Sequence, residues 1–159
     1  MYNRAPNKSC CYWQDGTCEV SLLKAGLNAH IGRLWEHLCQ IAVSGNTLFG
    51  YDWQLARRWW GKALNEKGEV EQLEFDVVAE STDGNRLLIG EFKWTWADYA
   101  GLLLVELKRK ASLAPFTKGK RITFVLFLRE HPLDNEDINI VCPGEVVENI
   151  VLFLPLLIS

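Results

Sequence analysis

The sequence lacks any strong excess of charge. Lys and Arg number 17 and Asp and Glu number 20, so the 159-residue chain has a net charge of −3. No overall basic field therefore indicates a nucleic-acid partner. A nucleic-acid-binding protein of this composition would need local basic patches, and the candidates are Arg57-Arg58, Lys108-Arg109-Lys110 and residues 118–121.

Long apolar runs and an even set of cysteines are also missing. The apolar tail at residues 150–158 contains Pro155 and is shorter than the roughly 20 residues that a membrane-spanning helix needs, so we predict a terminal strand or packing against a neighbour. The five cysteines suggest no disulfide framework, and Cys10, Cys11 and Cys18 lack a second ligand pair at zinc spacing. We predict reduced thiols in a cytoplasmic protein without membrane contact.

Histidine is scarce, and no nucleophile has an obvious base partner. His30 and His37 lie on the polar side of a predicted helix and His131 precedes a turn, so each is expected at the surface. No Ser or Cys has a base nearby in the sequence. Covalent nucleophilic catalysis is therefore not predicted.

The most informative segment is residues 73–94, LEFDVVAESTDGNRLLIGEFKW. Apolar and polar residues alternate in its first half, as in a half-buried strand. Asp83-Gly84 is a strong signal for a tight hairpin turn in which both residues have positive φ. With these two residues as the loop, Asp76 would lie directly opposite Glu91 on the returning strand.

Two opposed carboxylates on one face of a sheet repel each other. A divalent cation or a shared proton would reverse the sign of the interaction between Asp76 and Glu91. Lys93 projects from the same face, two residues beyond Glu91, and the same register places it opposite Glu74. The segment therefore predicts two carboxylates and an ammonium group on one patch.

The remaining elements follow from hydrophobic periodicity and breaker residues. The prediction is a helix at 27–43, a strand at 48–60, a loop at 61–72, a helix at 96–111, a strand at 122–128 and a short strand at 138–141. With the hairpin, this order gives an α/β domain with an αβββαβ core, a mixed central sheet flanked by helices. Residues 1–25 are irregular and linker-like, so we predict one domain at 26–159.

The predicted first helix has two non-polar faces. The first consists of Leu27, Ile31, Leu34, Trp35, Leu38 and Ile41, and the second of Ala29, Gly32, Cys39 and Val43. Glu36 lies on the second face and would be partly buried if both faces pack, and a buried carboxylate needs a partner or a metal. The alternative is an exposed Glu36 beside a seam of small residues.

Asp76 followed by Glu91-Phe92-Lys93 resembles the D…E-x-K core of the PD-(D/E)XK, or restriction-endonuclease-like, nuclease superfamily. The ordered set GRLWEHLC, RRWW, EFDVV and IGEFKW is more specific, and it resembles the nuclease-like domain at the C-terminus of many prokaryotic AAA-type ATPases over roughly residues 27–111. Pro6-Asn7-Lys8-Ser9 is similar to a segment that precedes this domain. The ATP-binding motif G-x-x-x-x-G-K-[ST] is absent, so the resemblance implies a separate ATPase chain or a stand-alone or truncated relative.

The resemblance also implies an activity: Mg²⁺-dependent endonucleolytic hydrolysis of DNA, or RNA, with Mn²⁺ as a substitute metal. Asp76 and Glu91 would bind the metal, and Glu36 would bind it directly or through a water. Lys93 would orient the attacking water or stabilise the transition state. The implied partners are the nucleic acid, an AAA-type ATPase and a second copy of the chain.

Four further residues are outer candidates around this set. Glu74 shares the face of Asp76, but an ion pair with Lys93 alone would account for its position. Trp59 and Trp60 could stack on bases or pack in the core or at its rim. Lys108 could reach a phosphate or only complement the dipole of its helix.

Two other functions remain open on the sequence alone. One is a catalytically degenerate nuclease-like domain that binds DNA or an ATPase partner. The other is an ordinary α/β domain in which the three motif residues form a surface ion cluster.

Overall fold

The computed structural model describes residues 32–93, 99–132 and 138–153. The chain divides into two compact units, residues 1–34 and 35–159, and every described strand belongs to the second. The predicted linker at 1–25, Trp94, Trp96 and the cysteines at positions 10, 11 and 18 lie outside the described residues.

The described elements form two sheets and three helices. In chain order they are α1 (residues 32–43), β1 (Thr47–Leu48), β2 (Tyr51–Asp52), β3 (Arg57–Leu64), β4 (Val70–Glu80), β5 (Arg86–Lys93), α2 (Ala100–Leu113), a 3₁₀ turn (Pro115–Thr117), β6 (Arg121–Leu128), β7 (Ile140–Val141) and α3 (Pro143–Phe153). The main sheet has the order β3-β4-β5-β6-β7. Its first three strands are antiparallel and its last three are parallel. The predicted α/β class with a mixed central sheet is confirmed.

Two apolar clusters cover the two faces of the main sheet. One contains Trp35 and Cys39 from α1 with Val146 from α3. The other contains Leu107 and Ala111 from α2. The sheet is therefore a central layer, with α1 and α3 on one side and α2 on the other.

A β-bulge in β4 lies between these two clusters. Asp76 and Val77 together oppose the single residue Arg58 of β3, which is the defining feature of a bulge. Residues two apart share a face in a regular strand, yet Phe75 packs on the α2 side and Val77 on the α1 side. The predicted alternation of buried residues along β4 is confirmed, but the bulge divides the buried side chains between the two faces of the sheet.

The hairpin register is as predicted, but its turn is longer. Val77 pairs with Gly90 and Glu80 with Leu87, in the register that a two-residue loop would give. The turn itself has four residues, 82–85, because Ser81 N–H donates to the Arg86 carbonyl at 2.9 Å. Among the described residues Phe49 is the one non-glycine with positive φ, so the two-residue turn predicted at positions 83 and 84 is wrong. Loops of two and four residues preserve the same pairing.

The boundaries of the first strand were also predicted wrongly. Residues 47–52 form the short β1–β2 hairpin, with positive φ at Phe49 (54°) and Gly50 (77°). The edge strand β3 begins only at Arg57 and continues to Leu64 through residues predicted as a loop. Partly buried and exposed residues alternate along it, which is the period of an edge strand with one covered face.

The two faces of α1 are not equally buried. Trp35, Cys39 and Val43 are buried, whereas Leu34 is 59% exposed and Ile41 lies at the surface. The buried side of α1 therefore combines Cys39 and Val43 of the second predicted face with Trp35 of the first.

At the C-terminus the predicted terminal strand is wrong for residues 150–153, which continue α3; residues 154–159 lie outside the described part. None of the helices in the described ranges has both the length and the apolarity to span a bilayer.

Candidate metal-binding and catalytic site

Asp76 lies where the ladder between β4 and β5 ends. The last pair of that ladder is Val77 with Gly90. Beyond it, the Phe92 N–H donates to Asp76 Oδ2 at 2.9 Å, so the carboxylate bonds the amide in place of a backbone carbonyl. The Gln40 side chain of α1 donates to the Asp76 carbonyl at 2.8 Å. The bulge thus fixes Asp76 between α1 and β5.

The charges around Asp76 show which groups share its environment. Burial raises the pKa of this carboxyl above its usual range, and the bond from Phe92 N–H opposes that shift. The negative charges of Glu91 and Glu36 raise the pKa further, while Lys93 lowers it. Glu91, Glu36 and Lys93 are therefore near enough to act on the charge of Asp76, and burial together with the two carboxylates disfavours its ionised form.

Glu91 is held by two ammonium groups. Its side chain is 13% exposed. Lys93 Nζ lies 3.0 Å from Glu91 Oε1, and Lys110 Nζ lies 2.8 Å from Oε2. Lys110 also donates to the Glu74 carbonyl at 3.1 Å, so it joins α2 to both strands of the hairpin.

Lys110 rather than Lys108 is the residue of α2 that reaches this site. Residues two apart on a helix point about 200° away from each other, and the Lys108 ammonium lies 5.9 Å from the Phe124 ring centroid instead. The sequence contained a usable signal, because Lys110 lies beside Ala111 and three residues after Leu107, both buried. A basic residue on the buried side of a helix indicates a partner.

Arg58 connects the two outer carboxylates. Its guanidinium forms an ion pair with Glu74, and Arg58 Nε lies 3.7 Å from Glu36 Oε1. The predicted pairing of Glu74 with Lys93 is therefore wrong, because the β4–β5 ladder stops before it and the bulge turns Arg58 toward Glu74. The Glu36 side chain is 19% exposed, as the interpretation of a partly buried carboxylate requires.

The two tryptophans of β3 have different environments. The Trp59 ring packs against Phe75 and Phe116, with centroid distances of 5.7 and 4.7 Å. Trp60 is 68% exposed and is paired across the strands with Glu74. Trp60 is therefore the one of the two with a ring surface open to a ligand.

The three acidic residues of the site do not form a three-ligand cage. Within the described ranges, Glu36, Asp76 and Glu91 do not bring ligand oxygens within 4.8 Å of one another. Mg²⁺ typically takes one or two carboxylates and keeps several waters. Asp76 and Glu91 together supply two carboxylates, and a metal bound there would compete with the ammonium groups on Glu91.

Asp76→Asn should raise the melting temperature at pH 7 in the absence of metal, because Asn can still accept the bond from Phe92 N–H without a buried charge. The folded-state pKa of Asp76 is raised, so its ionisation lowers stability above that pKa. The gain should vanish as the pH falls through the ordinary aspartate range near 3.9. Thermal melts in EDTA across pH measure it.

Asp83→Asn is the matched control with the opposite sign. Hydrogen bonds from Ser81 and Asn85 lower the pKa of Asp83, so its charge stabilises the fold above its ordinary range. This variant should melt lower at pH 7, and its deficit should also disappear at low pH. A lower melting temperature for both variants at pH 7 would contradict the burial of an unfavourable charge at Asp76.

The fold and the site together define a mixed α/β domain with an acidic cluster and two lysines where its central hairpin separates. The chain belongs to the DUF234 family, described as archaeal and bacterial proteins of unknown function, which it matches over residues 5–111. That range includes α1, the hairpin and nearly all of α2, and therefore all the residues of the cluster. No curated protein and no solved structure matches the chain.

Proposed function

We propose that the protein is a Mg²⁺-dependent nuclease of the PD-(D/E)XK type that hydrolyses phosphodiester bonds in DNA. The single observation that supports this most is that Glu91, Lys93 and Glu36 all lie near enough to Asp76 for their charges to act on it, with Lys93 Nζ 3.0 Å from Glu91 Oε1. Their order in the chain resembles the D…E-x-K core of that superfamily. A bulge at the first carboxylate is also common beside active sites.

Each residue has a distinct role in this proposal. Asp76 and Glu91 hold the metal, which supplies activation of a water and neutralisation of charge at phosphorus. Lys93 lies beside Glu91 and is exposed enough to reach a phosphate oxygen or the attacking water. Glu36 would bind the metal through a water, and Arg58, which is ion-paired with Glu36 and Glu74, holds both carboxylates in place. Trp60 offers a ring on which an unpaired base can stack.

The substrate, the alternative metal, the compartment and the partners are proposed as well. DNA is the preferred substrate and RNA the alternative, Mn²⁺ substitutes for Mg²⁺, and the protein acts in the cytoplasm. An AAA-type ATPase, as a separate chain or as part of a longer parent, is the proposed partner. A homodimer is a further proposed assembly.

A second function has one specific observation in its favour. Both carboxylate oxygens of Glu91 are ion-paired, to Lys93 and Lys110, so Glu91 needs no metal to be satisfied. A degenerate nuclease-like domain that binds DNA or an ATPase without cutting would have this arrangement. The difference between the two functions is whether a metal displaces an ammonium from Glu91.

Conversion of supercoiled plasmid to nicked or linear DNA tests the activity. We expect cutting in Mg²⁺ or Mn²⁺, none in EDTA, and recovery when Mg²⁺ is restored. DNA binding without cutting, together with no calorimetric binding of Mn²⁺, would support the degenerate domain instead. Cutting that persists in EDTA would contradict both.

Lys110→Met should tighten Mn²⁺ binding about tenfold. The change removes one of two cations that compete with the metal for Glu91. An ion pair at 4 Å contributes up to about 4 kcal/mol at the effective dielectric of a protein surface. A tenfold gain in affinity corresponds to about 1.4 kcal/mol and is therefore a conservative expectation. Isothermal titration calorimetry measures the affinity.

Lys108→Met is the matched control for this prediction, because it removes the same charge from the same helix on a side away from Glu91. Its Mn²⁺ affinity should be unchanged. Weaker Mn²⁺ binding in Lys110→Met would show that Lys110 positions Glu91 for the metal rather than competing with it.

A further inference from the structure

Three side chains with different metal-ligand atoms converge at a second place in the sheet. His131, Cys142 and Glu145 each bring one ligand atom within 4.8 Å of the other two. They come from two parts of the chain, the segment after β6 and the junction between β7 and α3. None of them belongs to the Asp76–Glu91 site, and none lies within the family match at residues 5–111.

The topology explains why these residues meet. Strands β6 and β7 are parallel, so their carboxyl ends lie at the same edge of the sheet, where ligands commonly bind in α/β proteins. His131 follows the end of β6 by three residues, Cys142 follows β7 directly, and Glu145 lies in the first turn of α3. The convergence is therefore built from regular elements.

The distances suit ligands of one ion. His131 Nε2 lies 3.1 Å from Glu145 Oε2. Two ligands at about 2.0–2.1 Å from a tetrahedral zinc ion are roughly 3.3 Å apart. The Cys142 N–H donates to Glu145 Oε2 at 2.7 Å, which fixes the carboxylate beside the thiol. Little movement is needed for a common ion to replace the His–Glu contact.

The donor atoms also favour a cation. A donor set of one nitrogen, one sulfur and one oxygen is typical of zinc rather than of Mg²⁺ or Ca²⁺.

A simpler role accounts for part of the cluster. Glu145 is the third residue of α3, and its bond to the Cys142 N–H is the reciprocal bond of a capping box. That role explains the position of Glu145. It requires neither a histidine nor a thiol, whereas a metal site uses all three groups.

We propose that His131, Cys142 and Glu145 bind one Zn²⁺ ion, with a water completing the tetrahedron. The site is independent of the nuclease activity. Three protein ligands and an open position are the arrangement of zinc sites that can activate a water or accept a further ligand.

Zinc binding should be measured on the full chain in a Cys10→Ser, Cys11→Ser, Cys18→Ser background, which leaves Cys142 and the fully buried Cys39 as the remaining thiols. We expect one equivalent of Zn²⁺ by calorimetry, and Co²⁺ should give a thiolate-to-metal charge-transfer band. Cys142→Ser should abolish that band. Loss of a ligand should weaken Zn²⁺ binding at least about tenfold, the effect that even outer-shell changes typically have.

The remaining variants separate a metal site from a helix cap. Glu145→Gln preserves an acceptor for the Cys142 N–H but removes the charged ligand, and it should weaken Zn²⁺ binding with little loss of stability. His131→Ala changes an exposed side chain, so it tests zinc binding at this cluster even if Cys142→Ser misfolds. His37→Ala on α1 is the control for this variant. Zn²⁺ affinity unchanged in His131→Ala or Cys142→Ser, or Co²⁺ binding without the thiolate band, would overturn the proposal.

Discussion

Asp76→Asn should abolish metal-dependent DNA cleavage, with a loss of at least about 10³-fold, while the protein stays folded. A catalytic metal contributes several kcal/mol to transition-state stabilisation, and each 1.36 kcal/mol is a factor of ten in rate. Asn has one oxygen that can still accept the 2.9 Å bond from Phe92 N–H. The loss would therefore arise from the missing charge and not from a broken hairpin.

The measurement is the rate of plasmid nicking at saturating Mg²⁺, together with Mn²⁺ titration calorimetry on the same preparation. Both cleavage and Mn²⁺ binding should be lost in Asp76→Asn. Glu71→Gln is a suitable control, since it neutralises another carboxylate of β4 whose partner, Arg109, lies outside the site. Cleavage that survives in Asp76→Asn but not in Glu71→Gln would indicate that the active site lies near Glu71, at the end of the hairpin away from its turn.

The hairpin register was predictable because it depends on local chemistry. Turn residues between two apolar runs set the pairing, and loops of two and four residues set the same one, so the error in the turn did not displace Glu91 from Asp76. The pKa of Asp76 is raised mainly by burial, and the negative charge of Glu91, the repulsion inferred from that register, adds to the shift.

The bulge was not predictable, although it controls where Asp76 points. No glycine marks it, and the residues on either side of Asp76, Phe75 and Val77, are both apolar and buried, so the pattern of alternation hides the change of face. A bulge depends on the partner strand, here on Arg58 of β3. Contacts of that kind have no signature in a single stretch of sequence.

Among the ion pairs of the site, one was predictable from the sequence and one was not. Lys110 could have been found from helical periodicity, since it lies on the buried side of α2. The pairing of Arg58 with Glu74 and Glu36 could not, because it joins α1, β3 and β4 across a bulge. Long-range ion pairs depend on the packed geometry, whereas the apolar side of a helix is encoded locally.

Replacing Lys93 with Met should separate catalysis from metal binding, which the change at Asp76 cannot do. Lys93 Nζ is 3.0 Å from Glu91 Oε1 and its side chain is 46% exposed, so it can face a substrate and still neutralise Glu91. Removing a group that stabilises a developing charge typically lowers the rate about 10²–10³-fold. We expect a loss of that size in plasmid nicking.

Mn²⁺ binding should be kept or tightened in Lys93→Met, because a cation that competes for Glu91 is gone. Lys62→Met, an exposed lysine of β3, is the control and should change neither quantity. Loss of Mn²⁺ binding along with cleavage would mean that Lys93 only positions Glu91. Unchanged cleavage would exclude Lys93 from the reaction, and the resemblance to the E-x-K motif would then have no catalytic meaning in this chain.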